Sequence, residues 1–188
     1  MSEALTATVT VLFCDLVEST ALNAGIGDAA ADALRRDVFD VLRAEIVAHR
    51  GTEVKNLGDG LMVSFAGNAD AVRAACGMQQ KIDVLGRTRR LPLALRVGVS
   101  VGEATFEDDD WFGTPVVEAS RLCSAASSGQ ILVADVVRIL LGSRAEVTLR
   151  PVGELALKGL PDPIAACEVE WAPLTVRSVQ LPLPRAFS

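Results

Sequence analysis

The chain has little of what marks several common classes of function. It carries one histidine, His49, and four cysteines, Cys14, Cys76, Cys123 and Cys167, scattered without paired metal-ligand spacing. A zinc site of clustered Cys and His therefore has no footing. The cysteines read as small buried hydrophobes in a reducing compartment. His49, beside Arg50 at the end of an amphipathic stretch, reads as a helix-terminal charge and not as a catalyst. No apolar run reaches the roughly 20 residues that span a bilayer. The N-terminus shows no basic region followed by a long apolar stretch, so no secretory leader and no membrane partner are expected, and the expected compartment is the cytoplasm. With a formal charge of −6, the chain also lacks the clustered Lys and Arg that wide phosphate-backbone contact needs. Nucleic acid is not an expected partner. The acidic run Glu107 to Asp110 would repel anions, so an anionic substrate must be met by local cations or by metal.

What is present is ample apolar material: 188 residues, 50% of them hydrophobic, suffice for one buried core and are short for two full domains. Residues 1–171 are expected to form the domain. From Ala172 onward Pro173, Pro182 and Pro184 punctuate a segment without periodicity, so 172–188 reads as a tail or linker. Further domains beyond Ser188 in the natural protein and a ragged end are both open readings.

Thr8 to Asp15 is rich in β-branched and aromatic residues and predicts a buried strand ending on a carboxylate. From Ala30 to His49, Leu34, Val38, Val41, Leu42 and Ile46 recur at helical spacing, with Gly51 as the C-terminal glycine. Thr52–Asn56 and Leu61–Phe65 read as strands around Leu57-Gly58-Asp59-Gly60, because Asp-Gly between extended runs signals a hairpin. A second helix is predicted over Ala69 to Leu85. Leu93, Leu95, Val97, Val99 and Val101 then alternate with Ala94, Arg96, Gly98, Ser100 and Gly102, a strand with one greasy and one small or polar face. Thr105 to Trp111 reads as a loop or short arm, Pro115 to Ala126 as a helix, Gln130 to Ala134 as a strand and Asp135 to Leu141 as a short helix. Val147–Leu157 and Ile164–Val169 close the series. The order fits an α+β sheet of βαββαβ type with helices over one face.

Asp15 closes a buried strand where the following backbone N–H groups would face a metal-bound polyphosphate. Asp59 alone is ordinary hairpin chemistry. Two acids at one edge of a sheet are more specific, since paired carboxylates sharing two divalent ions recur wherever phosphorus is attacked in line. The pattern resembles the class III adenylate and guanylate cyclases. The matching segments run in order from about Thr8 to Val169: Phe13 to Thr20, Lys55-Asn56-Leu57-Gly58-Asp59-Gly60, Leu95-Arg96-Val97-Gly98, Asp110-Trp111-Phe112-Gly113 through Ala119-Ser120-Arg121, and Leu157-Lys158-Gly159.

The resemblance implies a ferredoxin-like βαββαβ core with extra C-terminal α/β elements. It implies that Asp15 and Asp59 are catalytic acids holding two Mg²⁺ or Mn²⁺ ions per site, with the Leu16 carbonyl completing one of them. Ser19 and Thr20 would hold phosphate oxygens through their backbone. Lys55 and Asp110 match the family's base-selecting pair, Lys meeting adenine N1 and Asp accepting from its amino group, so ATP is the expected substrate. A buried donor–acceptor mismatch costs enough to separate the purines. Arg96 and Lys158 match groups that bind the terminal phosphates, and Arg121 the arginine that meets charge developing on the α-phosphate. The family's asparagine on the same helix face as Arg121 is here Val117, which cannot hydrogen-bond the sugar, so the donor is lost unless water or Glu118 substitutes. Low or partner-dependent activity is the expectation.

The resemblance further implies a homodimer with the acids from one protomer and Lys55, Asp110, Val117 and Arg121 from the other. Formation of 3′,5′-cyclic AMP and pyrophosphate from ATP is the expected reaction, the proton going to Asp15, to water or to the substrate. A guanylate or relaxed-specificity cyclase, and a weakly active or degenerate nucleotide-binding and dimerisation module, are the alternatives.

Overall fold

The computed structural model of the chain describes residues 5–17, 27–142 and 146–175. The elements run β1 (Leu5–Leu16), α1 (Asp28–Ala48), β2 (Thr52–Asn56), β3 (Gly60–Phe65), α2 (Asn68–Arg89), β4 (Leu95–Glu107), β5 (Asp110–Phe112), α3 (Thr114–Ala125), β6 (Ile131–Ala134), α4 (Asp135–Leu141), β7 (Leu149–Leu155) and β8 (Ile164–Val169). All strands join one sheet in the order β2-β3-β1-β4-β6-β8-β7, with β5 paired to β4. Among the described residues only β4 and β6 pair in parallel, which requires a crossover, here made through α3. The first six elements after the N-terminus form the βαββαβ core, and the rest form the α/β extension that the sequence predicts.

Strand β1 is central, and its run from Val9 to Cys14 is buried on both faces. Leu12, Cys14 and Leu16 pack with Leu34, Leu42, Met78, Ile82 and Val137 under α1, α2 and α4. Val9, Val11 and Phe13 pack with Ala119 and Cys123 of α3. The expectation of helices over one face is therefore corrected: α3 covers the other. The cause lies in β4. Its greasy residues Leu95, Val97 and Val99 face α1 and α2, while its small ones leave room for α3. A Cβ on Gly98 would stand 2.2 Å from both the Ala119 carbonyl oxygen and the Cys123 nitrogen. Only glycine permits that approach.

Of the two readings of Thr105 to Trp111, the structure has the short arm: Phe106 pairs with Trp111 and Glu107 with Asp110, leaving a two-residue turn. Asp108 and Asp109 hold it at φ 49° and 60°, a primed turn for which the asparagine or aspartate side chain is tolerated. At the end of α1 the left-handed residue is Arg50, φ 58°, and Gly51 serves a different need. A Cβ there would lie 2.5 Å from the Phe65 ring.

In the β2–β3 hairpin a register shift between Glu53 and Lys55 marks a bulge, the usual device for re-aiming a side chain beside a site. Gly58 takes φ 98°, and its N–H donates to Asn56 Oδ1 at 2.8 Å. Gly60 sits so close to β1 that a Cβ would lie 1.9 Å from the Cys14 carbonyl oxygen. Past β8, Gln80 donates to the Ala172 carbonyl and Arg87 to that of Leu174, so 172–175 follows α2. Among the described residues no helix is long and apolar enough to cross a membrane. Gly60→Ala is expected to cost about 1–3 kcal/mol, the range for overpacking, read as a lowered denaturation midpoint in urea.

Candidate active site

Register decides what meets at the end of β1. Asp15 has Gly60 of β3 on one side and Arg96 of β4 on the other as cross-strand partners. The Leu16 N–H donates to the Asp59 carbonyl at 3.0 Å, and the Val17 N–H to that of Ala94 at 2.9 Å. Asp15, Leu16 and Asp59 thus share one sheet edge, as expected. Asp15 borders a cleft of about 140 Å³ lined also by Phe13, Leu57, Gly60, Ser120 and Cys123, while Leu16 and Asp59 line a separate small pocket against Leu34, Arg35 and Phe39 of α1. A larger cavity of about 280 Å³ lies around Thr8, Thr10, Asn68 and Leu140. None of its lining side chains is ionisable, so it offers nothing to a charged reaction.

The charged residues form three groups. Arg96 donates to the Asp15 carboxylate. Lys55 Nζ stands 2.5 Å from Asp110 Oδ2, joining β2 to β5, while Asp110 Oδ1 accepts from the Trp111 N–H at 2.9 Å. Arg121 lies beside the Lys158-Gly159 loop, its guanidinium 3.6 Å from where a Gly159 Cβ would be, and Gly159 is at φ 84°. Among the described residues, the buried side-chain polar atoms without a hydrogen-bond partner are the Nε of Arg96 and the Nε of Arg121. Native proteins satisfy nearly all such groups. Two guanidinium donors left open are a fit for an anion.

Val117 is 39% exposed on α3, one turn before Arg121. Glu118 does not stand in for the missing amide: its carboxylate accepts from the fully buried Ser100 hydroxyl at 2.5 Å and is held against its own sheet. Ser19 and Thr20 lie outside the described residues. His49 pairs with Glu45 at the end of α1. The cysteines are free. Burial pushes the Cys14 and Cys123 thiols up to about 12, so no thiolate nucleophile faces the cleft. The sequence reading missed Ser120, Cys123 and Ser124 as cleft walls. Their spacing along α3 with Arg121 was the available signal.

Among the described residues no three His, Cys, Asp or Glu side chains cluster as a metal site. Two carboxylates and a backbone carbonyl at one edge are nonetheless hard oxygen donors, the set that Mg²⁺ and Mn²⁺ accept when substrate and water complete the shell. The residues fit such ions.

A family profile described as "Adenylate and Guanylate cyclase catalytic domain" matches residues 1–169. The adenylyl cyclase CyaB from P. aeruginosa superposes with a TM-score of 0.83 at 27% identity, over 90% of this chain and 97% of that one. A guanylyl cyclase, Cya2, gives 0.76 at 23% identity over 94% and 97% of the two chains, a likeness of fold. A pH-sensitive adenylate cyclase of Mycobacterium tuberculosis is 33% identical over 138 residues, 73% of this chain and 34% of that protein. The chain spans between 22% and 54% of the length of the curated relatives it matches.

The Lys55–Asp110 pair is 42% and 22% exposed. Exposed ion pairs contribute little to folding, so Lys55→Ala should lower stability by about 1 kcal/mol or less in chemical denaturation. Any larger loss of activity then belongs to the site.

Proposed function

Because the chain belongs to the adenylate and guanylate cyclase catalytic-domain family, we propose that it is an adenylate cyclase domain, converting ATP to 3′,5′-cyclic AMP and pyrophosphate. The observation that carries the choice of ATP is the Lys55–Asp110 pair, a cationic donor and an anionic acceptor held 2.5 Å apart across two strands. Adenine offers an acceptor at N1 and a donor at its amino group, which this pair complements. Guanine presents a donor and an acceptor in those places and would leave both groups mismatched, at a cost of about 1–3 kcal/mol for each once the base and a second copy of the chain cover them. A cytoplasmic site, where ATP is supplied, fits this reading.

In this reading the ribose 3′-oxygen bonds to the α-phosphorus, the bond from that phosphorus to the β-phosphate oxygen breaks, and the hydroxyl proton is lost to Asp15, water or substrate. Asp15, Asp59 and the Leu16 carbonyl would hold two divalent ions, which when bound supply Lewis-acid activation and charge neutralisation. Arg121 meets the charge that develops on the α-phosphate, with its open Nε as one donor. Lys158 and Arg96 would hold the terminal phosphates, together with backbone N–H groups at Ser19 and Thr20. Asp15, Lys55, Arg96, Asp110 and Arg121 stand on strands or a helix of the sheet, which limits the backbone movement the chemical step would need.

The site is completed by a second copy of the chain, Asp15 and Asp59 of one protomer acting with Lys55, Asp110, Val117 and Arg121 of the other. The exposed apolar residues Leu57, Phe112 and Val117, 51%, 52% and 39% exposed, support this pairing. They stand on the hairpins and the helix that carry the site. A second reading, a weakly active or degenerate module, rests on Val117 together with the engaged Glu118. In either reading we take residues 1–171 as the domain.

Mixing Asp59→Ala with Lys55→Ala chains tests the shared site. Each heterodimer holds one intact site, so two inactive preparations should together recover roughly a quarter of the wild-type rate of cyclic AMP formation. No recovery with heterodimers confirmed by mass would overturn it. Val117→Asn should raise kcat by up to about 10²-fold, since one well-placed transition-state donor contributes about that much. An unchanged kcat would show that the amide is not what limits this site.

A further inference from the structure

Asp15 and Arg96 are direct cross-strand partners, so the distance between their backbones is fixed by the sheet. The backbone at Arg96 is held from both sides. The Leu95 carbonyl accepts from the buried Gln79 side chain and from the Gly129 N–H, and the Cys123 thiol donates to the Arg96 carbonyl at 3.4 Å. The side chains are freer: those of Arg96 and Asp15 are 34% and 32% exposed. Arg96 spends one terminal nitrogen on Asp15 while its Nε has no partner. A guanidinium is built as a fork for paired oxygens, and here half the fork is idle.

We infer that Arg96 is the resting counter-ion of Asp15 and couples metal binding to triphosphate binding. The inference rests on the reading of Asp15 as a metal ligand. A carboxylate oxygen engaged by a guanidinium is a poor ligand, because a divalent cation arriving beside it meets a fixed positive charge. Phosphate oxygens offer the fork a complete set of partners and more negative charge than one carboxylate. When the triphosphate takes Arg96, Asp15 is released to the metal. When the metal takes Asp15, Arg96 is released to the phosphates. Each ligand removes the other's competitor, and the coupling is reciprocal. Arg96 is in this respect a positioning residue that acts through Asp15.

The test is a titration of the full chain with Mn²⁺ alone, without nucleotide, reading free Mn²⁺ by electron paramagnetic resonance. Arg96→Gln should bind Mn²⁺ about ten-fold more tightly than wild type, within the usual span of coupling. Arg96→Lys, which keeps the charge, should stay near wild type, and Asp15→Asn should lose the site. In EDTA, Asp15→Asn should bind a non-cyclisable ATP analogue about ten-fold more tightly than wild type, and this gain should vanish in the Asp15→Asn/Arg96→Gln double variant. If Arg96→Gln binds Mn²⁺ no better than wild type while Asp15→Asn abolishes binding, the counter-ion role is overturned and the metal reading stands. If Asp15→Asn binds Mn²⁺ as wild type does, both are overturned. Should Arg96→Gln fail to fold, absence of any gain in Asp15→Asn alone overturns the inference.

Discussion

The antiparallel pairing of β1 with β3 and β4 is the constraint on which the rest depends. It sets Asp15 between Gly60 and Arg96, and through the Leu16–Asp59 hydrogen bond it brings the hairpin acid to the same edge. A slip of one residue would turn Asp15 into the face packed by α1 and α2. The register is held by what cannot move. Val9 to Cys14 are buried on both faces, and Gly60 meets the Cys14 carbonyl at a distance no side chain allows. The same rule operates at Gly98, where close approach of α3 fixes the helix that carries Val117 and Arg121. Chemistry-bearing residues sit at the ends of elements whose middles are rigid.

Charge is arranged economically in a chain of net charge −6. The cations of the site are paired with its own acids, Arg96 with Asp15 and Lys55 with Asp110, or left with an open donor, as at Arg121. Such pairing keeps carboxylates and cations at a sheet edge without a large unbalanced field, and makes both available when a polyanion and metal arrive. The thiols beside them take no part, because burial holds Cys14 and Cys123 protonated.

Much of this was legible in the sequence because it is local. The stripe of Leu34, Val38, Leu42 and Ile46 gives α1, the alternation from Leu95 to Val101 gives β4, and Asp59-Gly60 gives the hairpin. What was not legible depends on long-range packing. Gly98 and Ser100 read as a small or polar face, but only the fold shows that α3 occupies it, which moves one helix to the opposite side of the sheet. Thr105 to Trp111 left loop and arm both open, because an Asp pair in a primed turn carries no glycine to announce it. The candidate site residues stand out in the sequence by their order along the chain, which is a weaker signal than contact. The pairing of Arg96 with Asp15 needs the register of strands 81 residues apart, and the engagement of Glu118 by Ser100 needs the seat of α3 on β4.

Family membership and the geometry of the sheet edge together make the nucleotide the decisive unknown, and the central claim is that Lys55 and Asp110 select adenine. The most direct measurement incubates the purified chain, at a concentration that saturates dimer formation, with Mn²⁺ and either ATP or GTP, and resolves the products by chromatography. The account predicts cyclic AMP with an equal amount of pyrophosphate from ATP and far less cyclic GMP from GTP. Cyclic GMP as the main product, or no cyclic nucleotide from either substrate, would contradict it.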